Sequence, residues 1–397
     1  MQALTFGDAR DTVLRTVRAS RTLPPTEIIS LSEAAGRVLA REARADRDLP
    51  ALSRSVRDGY AVRAADVPGE LEIAGEVRAG ERYSGRLAPG QAIEIMTGAP
   101  IPDGADAVIM VEHTTRDRSR MRTDRPAEPA QFINPKGCEA AAGSTVLRPG
   151  KRLDYSDIAL LASIGYPSVE VYRRPVVAII PTGDEIVDVA ETPADHQIRN
   201  SNSWSLAAQV TRAGGIPQVL PVARDTEAET RELIVLGLST DLLLLSGGVS
   251  AGKYDVVEKV LSTFSAEFYF DRVLIQPGQP LVFGKATGKF LFGLPGNPSS
   301  TMVTFEIFAR SVLELLSGQD EIALQMPFAR LTTTFRHRAG LTRFLPAFLS
   351  ADGSELTPVP WHGSGDVPAL TRANAYLVAD PEKPEYQAGE LIRVLLK

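Results

Sequence analysis

The spacing of apolar positions changes along the chain, and each change predicts a different kind of structure. Near the amino end, Thr5-x-x-Asp8 and Ser30-x-x-Glu33 have the form of capping boxes. Leu31, Ala35, Val38 and Leu39 fall on one helical face, so two capped helices are predicted to open the fold. From about residue 47 short alternating segments are broken by Gly and Pro, as in DLPALSRSVRDGYAV, LEIAGEV and QAIEIMTGAPIPDGADAVIMVE. That texture predicts a β-rich region. The polar stretch 114–131 reads as a loop or hairpin tip, and YSDIALLASIG near 155–165 as a helix that rejoins the opening pair.

From about residue 173 the period becomes strand, turn, helix. VVAII ends in the turn PTGDE, and Asn200 or Ser201 caps a helix with Leu206, Ala207, Val210 and Ala213 facing inward. Gly214-Gly215 stops it. IPQVLPVARD is the next strand, and Thr226-x-x-Glu229 caps the next helix. DLLLL then leads into SGGVSAGKY and a helix on Val256, Val257, Val260 and Leu261. RVLIQPG and PLVFGK precede FLFGLPGNP and a long helix ending at Gly318. Alternating strands and helices predict a parallel α/β sheet. The remainder, 319–397, is short strands and turns (ARLTTTFRH, FLPAFLS, AYLVAD, LIRVLLK), as in a small β domain or barrel.

Composition narrows the class. At 397 residues and ~150 residues per domain, two to four domains are expected. Hydrophobic residues at 44% and charged residues at 23% fit globular cores. A net charge of −6 without a basic block argues against nucleic-acid or anionic-membrane binding by charge. No segment approaches the ~20 apolar residues of a membrane helix, and the first residues lack an apolar signal core, so a soluble, cytoplasmic protein is expected. The single Cys138 excludes an internal disulfide and fits a reducing compartment. His113, His196, His337 and His362 lack zinc-ligand spacing.

In an open parallel sheet, ligands bind beyond the carboxyl ends of the strands. The residues predicted there are Thr182, Gly183, Asp184 and Glu185, then Asp225, then Ser246, Gly247, Gly248 and Asp255, then Gln276 to Gln279, then Pro295 to Pro298. Glycines at helix starts let backbone N–H groups approach an anion, and carboxylates beside them tolerate phosphate when Mg²⁺ lies between. Each piece also has an ordinary reading: Asp255 and Glu258 fit a helix cap, Asp184 and Glu185 a first helical turn. Four such loops at one edge point to a phosphorylated or nucleotide ligand with a divalent cation. Gly247 to Lys253 mimics a P-loop, but Tyr254 stands where that motif needs Ser or Thr. RDGYAV fits an Asp-Gly turn, His362 beside Gly363 and Ser364 fits a turn, and Trp204 and Trp361 read as packing residues.

SVRDGYAV, IMTGAPIPDGADAVIMVE, PTGDEI, SGGVSAGKYD, QPGQPLVFGK and GLPGNPSS occur together in that order. The set resembles the molybdopterin molybdotransferases, the MoeA family that includes the gephyrin E domain, from about residue 5 to the carboxyl end. The resemblance implies a multidomain α/β plus β fold in four parts. These would be a discontinuous helical domain (1–26 and 143–171), an inserted β domain (27–142), a parallel α/β molybdopterin-binding domain (172–318) and a C-terminal β-barrel (319–397). It implies a homodimer that inserts molybdenum from molybdate into adenylylated molybdopterin and releases AMP with Mg²⁺. A molybdopterin adenylyltransferase and apo-molybdoenzymes would be its protein partners.

By the same resemblance, Asp58 and Thr97 would reach the partner protomer's site. Glu185, Asp225 and Asp255 would line the pterin–nucleotide pocket, the two aspartates placed for Mg²⁺. Gly247, Gly248 and Ser250 would cradle phosphate, while Arg343 and Ser364 would hold molybdate. Thr182, Gly183, Asp184, Ser246, Pro295, Gly296 and Asn297 complete the implied substrate site. The chain departs from the family pattern at Gln276 and Gln279, where lysines are common, and Arg272 keeps one positive charge nearby. Glu139 in GCEA stands in for the aspartate of the common GED. A molybdopterin adenylyltransferase would need neither the β domain nor the barrel, and a non-catalytic scaffold would find support only in the missing lysines.

Overall fold

The computed structural model describes residues 2–224, 226–247 and 255–397. Helix α1 (Phe6–Ser20) starts at the predicted box: Thr5 Oγ1 accepts from the Asp8 N–H and its hydroxyl donates to Asp8 Oδ2 at 2.7 Å. Ala9, Val13 and Val17, four residues apart, form its buried stripe. The second predicted helix is only a three-residue 3₁₀ turn, Leu31–Glu33. Gly36 adopts φ +76° behind it, and the N–H groups of Gly36 and Leu39 donate to Leu153 O and Lys151 O. Tertiary pairing has taken the donors that a helix would use internally.

That pairing builds a small body. Thr26–Ser30 runs antiparallel to Ser168–Tyr172, and Ala34, Leu39 and Ala43 share a core with Leu147, Leu161 and Val171. Helix α2 (Tyr155–Ser163), closed by an Asp154/Asp157 capping box, packs there. This core straddles the expected boundaries at residues 27 and 142. Helix α1 does not join it: Phe6 meets Phe308 and Phe344 edge-on at 5.9 and 5.2 Å, and Arg10 donates to Ile307 O. Between the two halves, a six-stranded sheet places Gly59–Val62 between Ala107–Met110 and Gln91–Ile95. The polar 114–131 stretch supplies its outer hairpin, Thr115–Asp117 with Arg120–Thr123.

The α/β part explains its own sequence pattern. In the sheet order Ile216–Val219, Val176–Pro181, Leu242–Ser246, Lys289–Leu294, Pro280–Ala286, Glu267–Arg272, the first four strands are parallel. Helices cover both faces, so the central strands are apolar throughout. Val177, Ile179, Leu242, Leu244 and Phe292 face one core with α3 (Asn202–Arg212) and α1. Ala178, Ile180, Leu243 and Leu245 face the other, with α4 (Glu227–Leu238) and α5 (Asp255–Ser262). The expected parallel sheet is present, and the last two pairings at its edge are antiparallel. Thr287 and Gly288, at φ 46° and 83°, form a two-residue turn between Ala286 and Lys289, too short for a crossover.

Helix α6 (Pro298–Thr304) continues through a π turn (Phe305–Ala309) into α7 (Arg310–Leu316), and Gly318 at φ +92° lies just beyond the end. Five strands then close a barrel: Thr342–Leu349, Glu355–Pro358, Phe328–Leu331, Leu391–Leu396 and Ala375–Ala379, the last pairing back to the first. Helix α8 (Val367–Arg372) precedes the strand Ala375–Ala379. Ile275–Gln276 adds in parallel to Thr342–Arg343 and stitches the barrel to the α/β part. Among the described residues no helix is long and apolar enough to cross a membrane.

Candidate active site

The parallel strands deliver three loops to one edge. Past Pro181, the Thr182 N–H donates to Ser246 O at 3.0 Å, and the Gly247 N–H donates to Leu294 O at 3.1 Å. Gly247 sits at φ +96°, where an added Cβ would lie 2.8 Å from Thr182 O. Only glycine fits that close crossing. Its N–H, expected to face a phosphate, is committed to the Leu294 carbonyl; the glycine shapes the loop. Gly183, at φ +132°, likewise gives its N–H to Ala223 O at 3.2 Å. Asp184 and Glu185 follow, both exposed, and Arg224 Nη1 donates to Asp184 O at 3.0 Å.

One side chain ties these loops together. Asn202 Nδ2 donates to Gly296 O at 2.7 Å and to Ser246 Oγ at 3.1 Å. The pattern points to Asn200 or Ser201 as the cap; Asn200 Oδ1 accepts from the Ser203 N–H, and Asn202 is the first residue of α3. Its role spans a distant loop, so only the second asparagine in Asn200-Ser201-Asn202 could have hinted at it. Asn202 Oδ1, Thr182 Oγ1 and Ser299 Oγ are sealed from solvent with no hydrogen-bond partner among the described residues. Such groups cost about 1–3 kcal/mol each and mark places where a further partner belongs. Trp204 is 55% exposed on α3 rather than packed.

The barrel reaches the same edge. Ser364 O accepts from the Ser299 N–H at 2.9 Å, which sets Ser364 at the start of α6 beside Asn297. Gln276 and Arg343 are strand partners, and Arg343 Nη1 donates to Gln276 Oε1. A lysine at 276 would set two cations against each other; the glutamine oxygen instead holds the guanidinium. Arg343 also donates from Nε to His337 Nδ1 and from Nη2 to Arg338 O, both at 3.1 Å. Burial and the Arg338 charge lower its pKa. Arg272 is exposed and lies across from Pro280, at the end of the sheet where Pro295 emerges.

In the β-rich part, Asp58 Oδ1 accepts from the Thr97 N–H at 2.6 Å and its hydroxyl at 2.8 Å. Both bonds hold the carboxyl below its ordinary pKa, the backbone N–H contributing most. Gly59 is required beside it: an added Cβ would fall 1.9 Å from Ile109 O. Glu139 Oε1 accepts from Asn134 Nδ2 at 2.9 Å. The partners of Asp58, Thr97 and Glu139 all belong to their own part of the chain. Asp225, Gly248 and Ser250 lie outside the described residues, as does the Asp255 side chain. Among the described residues, no group of three or more His, Cys, Asp or Glu is placed to hold a metal ion.

Comparison with known proteins places this arrangement. Residues 4–165 match the family described as the MoeA N-terminal region (domain I and II), 178–315 a probable molybdopterin binding domain, and 329–397 the MoeA C-terminal region (domain IV). The chain is 34% identical over 385 residues to a molybdopterin molybdenumtransferase of Bacillus subtilis, covering 94% of this chain and 90% of that one. It is 30% identical to one from Staphylococcus aureus, covering 98% and 94%. The crystal structure of a molybdopterin biosynthesis moeA protein from Pyrococcus horikoshii superposes with a TM-score of 0.81 at 29% identity, over 100% of both chains.

Proposed function

This chain belongs to the MoeA family, and from that premise we propose that it inserts molybdenum from molybdate into adenylylated molybdopterin, with release of AMP. The observation that carries the reading is the joining of the Ser246 and Gly296 loops by Asn202, beside the unpartnered hydroxyls of Thr182 and Ser299. A phosphorylated substrate supplies the polar atoms those groups lack. Thr182, Asp184, Glu185, Ser246, Gly248 and Ser250 take its phosphate side, on loops whose turns Gly183 and Gly247 shape. Pro295, Gly296 and Asn297 close the pocket, with Arg272 and Gln276 at its rim. Arg343 and Ser364 hold molybdate, because a guanidinium fork and a hydroxyl suit a tetrahedral oxyanion.

Asp225 and Asp255 are assigned to Mg²⁺. Hard carboxylate oxygens beside substrate phosphates are the donors that cation takes, and Asp184 and Glu185 give this edge the same character. Bound there, Mg²⁺ would offset the phosphoanhydride charge. The rest of the chemistry is positioning and electrostatics by the chain itself. The reading includes a homodimer in the cytoplasm, with Asp58, Thr97 and Glu139 facing the partner protomer's sheet edge. It also includes exchange with a molybdopterin adenylyltransferase and apo-molybdoenzymes. The four-part division belongs to it too, with residues 27–49 grouped with 143–171.

The test is AMP release from adenylylated molybdopterin by the purified protein with Mg²⁺, with and without molybdate, and with tungstate in parallel. Molybdate-dependent release is expected. Release with tungstate alone would reassign the metal, and tight binding without release under either oxyanion would overturn the enzymatic reading.

A further inference from the structure

A cleft of ≈ 360 Å³ opens where three parts of the chain meet, lined by Arg152 ahead of α2, Arg212 at the end of α3, Arg310 and Glu314 on α7, and Lys397 beyond the last barrel strand. It lies apart from the site above. Arg212 and Ala213 end α3, whereas Asn202, which binds the sheet-edge loops, begins it.

The charges in the cleft do not balance. Glu306, buried in the π turn, takes Arg212 at 2.5 Å and Arg310 at 3.5 Å, and Arg310 Nε lies 3.6 Å from Glu314. Those two carboxylates answer two cations. Arg152 meets only carbonyls, Ala213 O at 3.3 Å and Arg212 O at 3.4 Å. Lys397 Nζ likewise meets only Leu370 O at 2.5 Å and Ala373 O at 3.3 Å. Among the described residues neither head has a carboxylate partner. Cations therefore outnumber carboxylates around the cleft, although Glu314 acts on Arg152 as well as on Arg310 and the α-carboxylate of Lys397 lies beside its own amine. Burial and then an arginine neighbour lower two nearby cations, the Lys397 amine beside Arg212 and Arg10, behind α7, beside Arg310. Glu314 is pushed up by burial, against the opposite pull of Arg310, Arg152 and Arg10.

We propose that this cleft is a second anion site, taking one tetrahedral dianion of the phosphate, sulfate or molybdate class between Arg152 and Lys397. A guanidinium offers two parallel donors to such an ion and an ammonium a point charge, so the pair matches its shape and the sign of its charge. The ion would bridge Arg152 to the barrel, which carries Arg343 and Ser364, and so fasten that barrel to the rest of the chain.

The test uses the intact protein and the variants Arg152→Gln, Lys397→Gln, the double variant and Arg152→Lys. Phosphate, sulfate and molybdate are titrated separately by calorimetry at constant ionic strength, without pterin substrate. Saturable binding by the wild type is expected, weakened about tenfold or more in the double variant and largely kept in Arg152→Lys. Unchanged affinity in the double variant would place any bound ion elsewhere, including the sheet edge, and overturn the proposal. So would the absence of saturation. The order of affinities among the three ions assigns the source. Because no turnover is measured, a failure of AMP release leaves this result independent.

Discussion

Replacing Asn202 with alanine separates what this side chain does for the fold from what it does for the site. Its two donated bonds, to Gly296 O and Ser246 Oγ, contribute about 0.5–1.5 kcal/mol each, or about 1–3 kcal/mol together. Against them stands Oδ1, sealed from solvent without a partner, at a cost of about 1–3 kcal/mol. Alanine removes both contributions. They largely cancel, so the unfolding free energy should change by no more than about 2 kcal/mol. Turnover has no such compensation: freeing the Ser246 and Gly296 loops lets groups that position the substrate drift, and a drift of ~1 Å can cost about 100-fold. Urea denaturation and AMP-release kinetics, with KM and kcat separated, read the two effects independently. Asn202→Asp is the companion variant. It keeps the shape but turns a donor toward the Gly296 carbonyl into an acceptor and adds negative charge where phosphates bind, so KM for the adenylylated substrate should rise. The reasoning is refuted if the alanine variant keeps wild-type turnover, or if its activity falls only in proportion to its folded fraction.

Two further outcomes follow from the β-rich part. Gly59→Ala puts a Cβ 1.9 Å from Ile109 O, more than an ångström inside contact distance, and should cost about 3 kcal/mol by denaturant midpoint; a near-neutral result would contradict the packing described. Asp58 has a folded pKa below its unfolded value, so its ionised form contributes to stability above the unfolded pKa, and that contribution is lost as pH falls through the folded one. Thr97→Val removes the hydroxyl bond and keeps the backbone N–H bond, so the Asp58 titration midpoint followed by carboxyl NMR should move up toward the ordinary aspartate value. An unmoved midpoint would show that the hydroxyl contributes nothing.

What the sequence settled is what neighbouring residues settle among themselves. The Thr5 capping box, the helix Tyr155–Ser163, the apolar runs Val176–Pro181 and Leu242–Ser246, and the glycine stops all rest on energies acting within a few positions. The ordered motif set likewise carried the family. The tertiary structure decided wherever a group has two possible partners and the better one is far along the chain. The stretch from Leu31 to Leu39 could have turned a helix, but Leu153 and Lys151 took the N–H groups of Gly36 and Leu39. Lys289–Leu294 could have ended a crossover, but the turn at Thr287 and Gly288 folded it back on Pro280–Ala286. Gln276 is a missing charge by the family pattern but holds the Arg343 guanidinium in the fold, and Asn202, which no local pattern marks, joins Gly296 and Ser246. Spacing along a chain records which face a residue shares with its neighbours. It does not record which distant donor or acceptor will be buried against that face, and the cost of burying a polar group unpaired is what makes that choice.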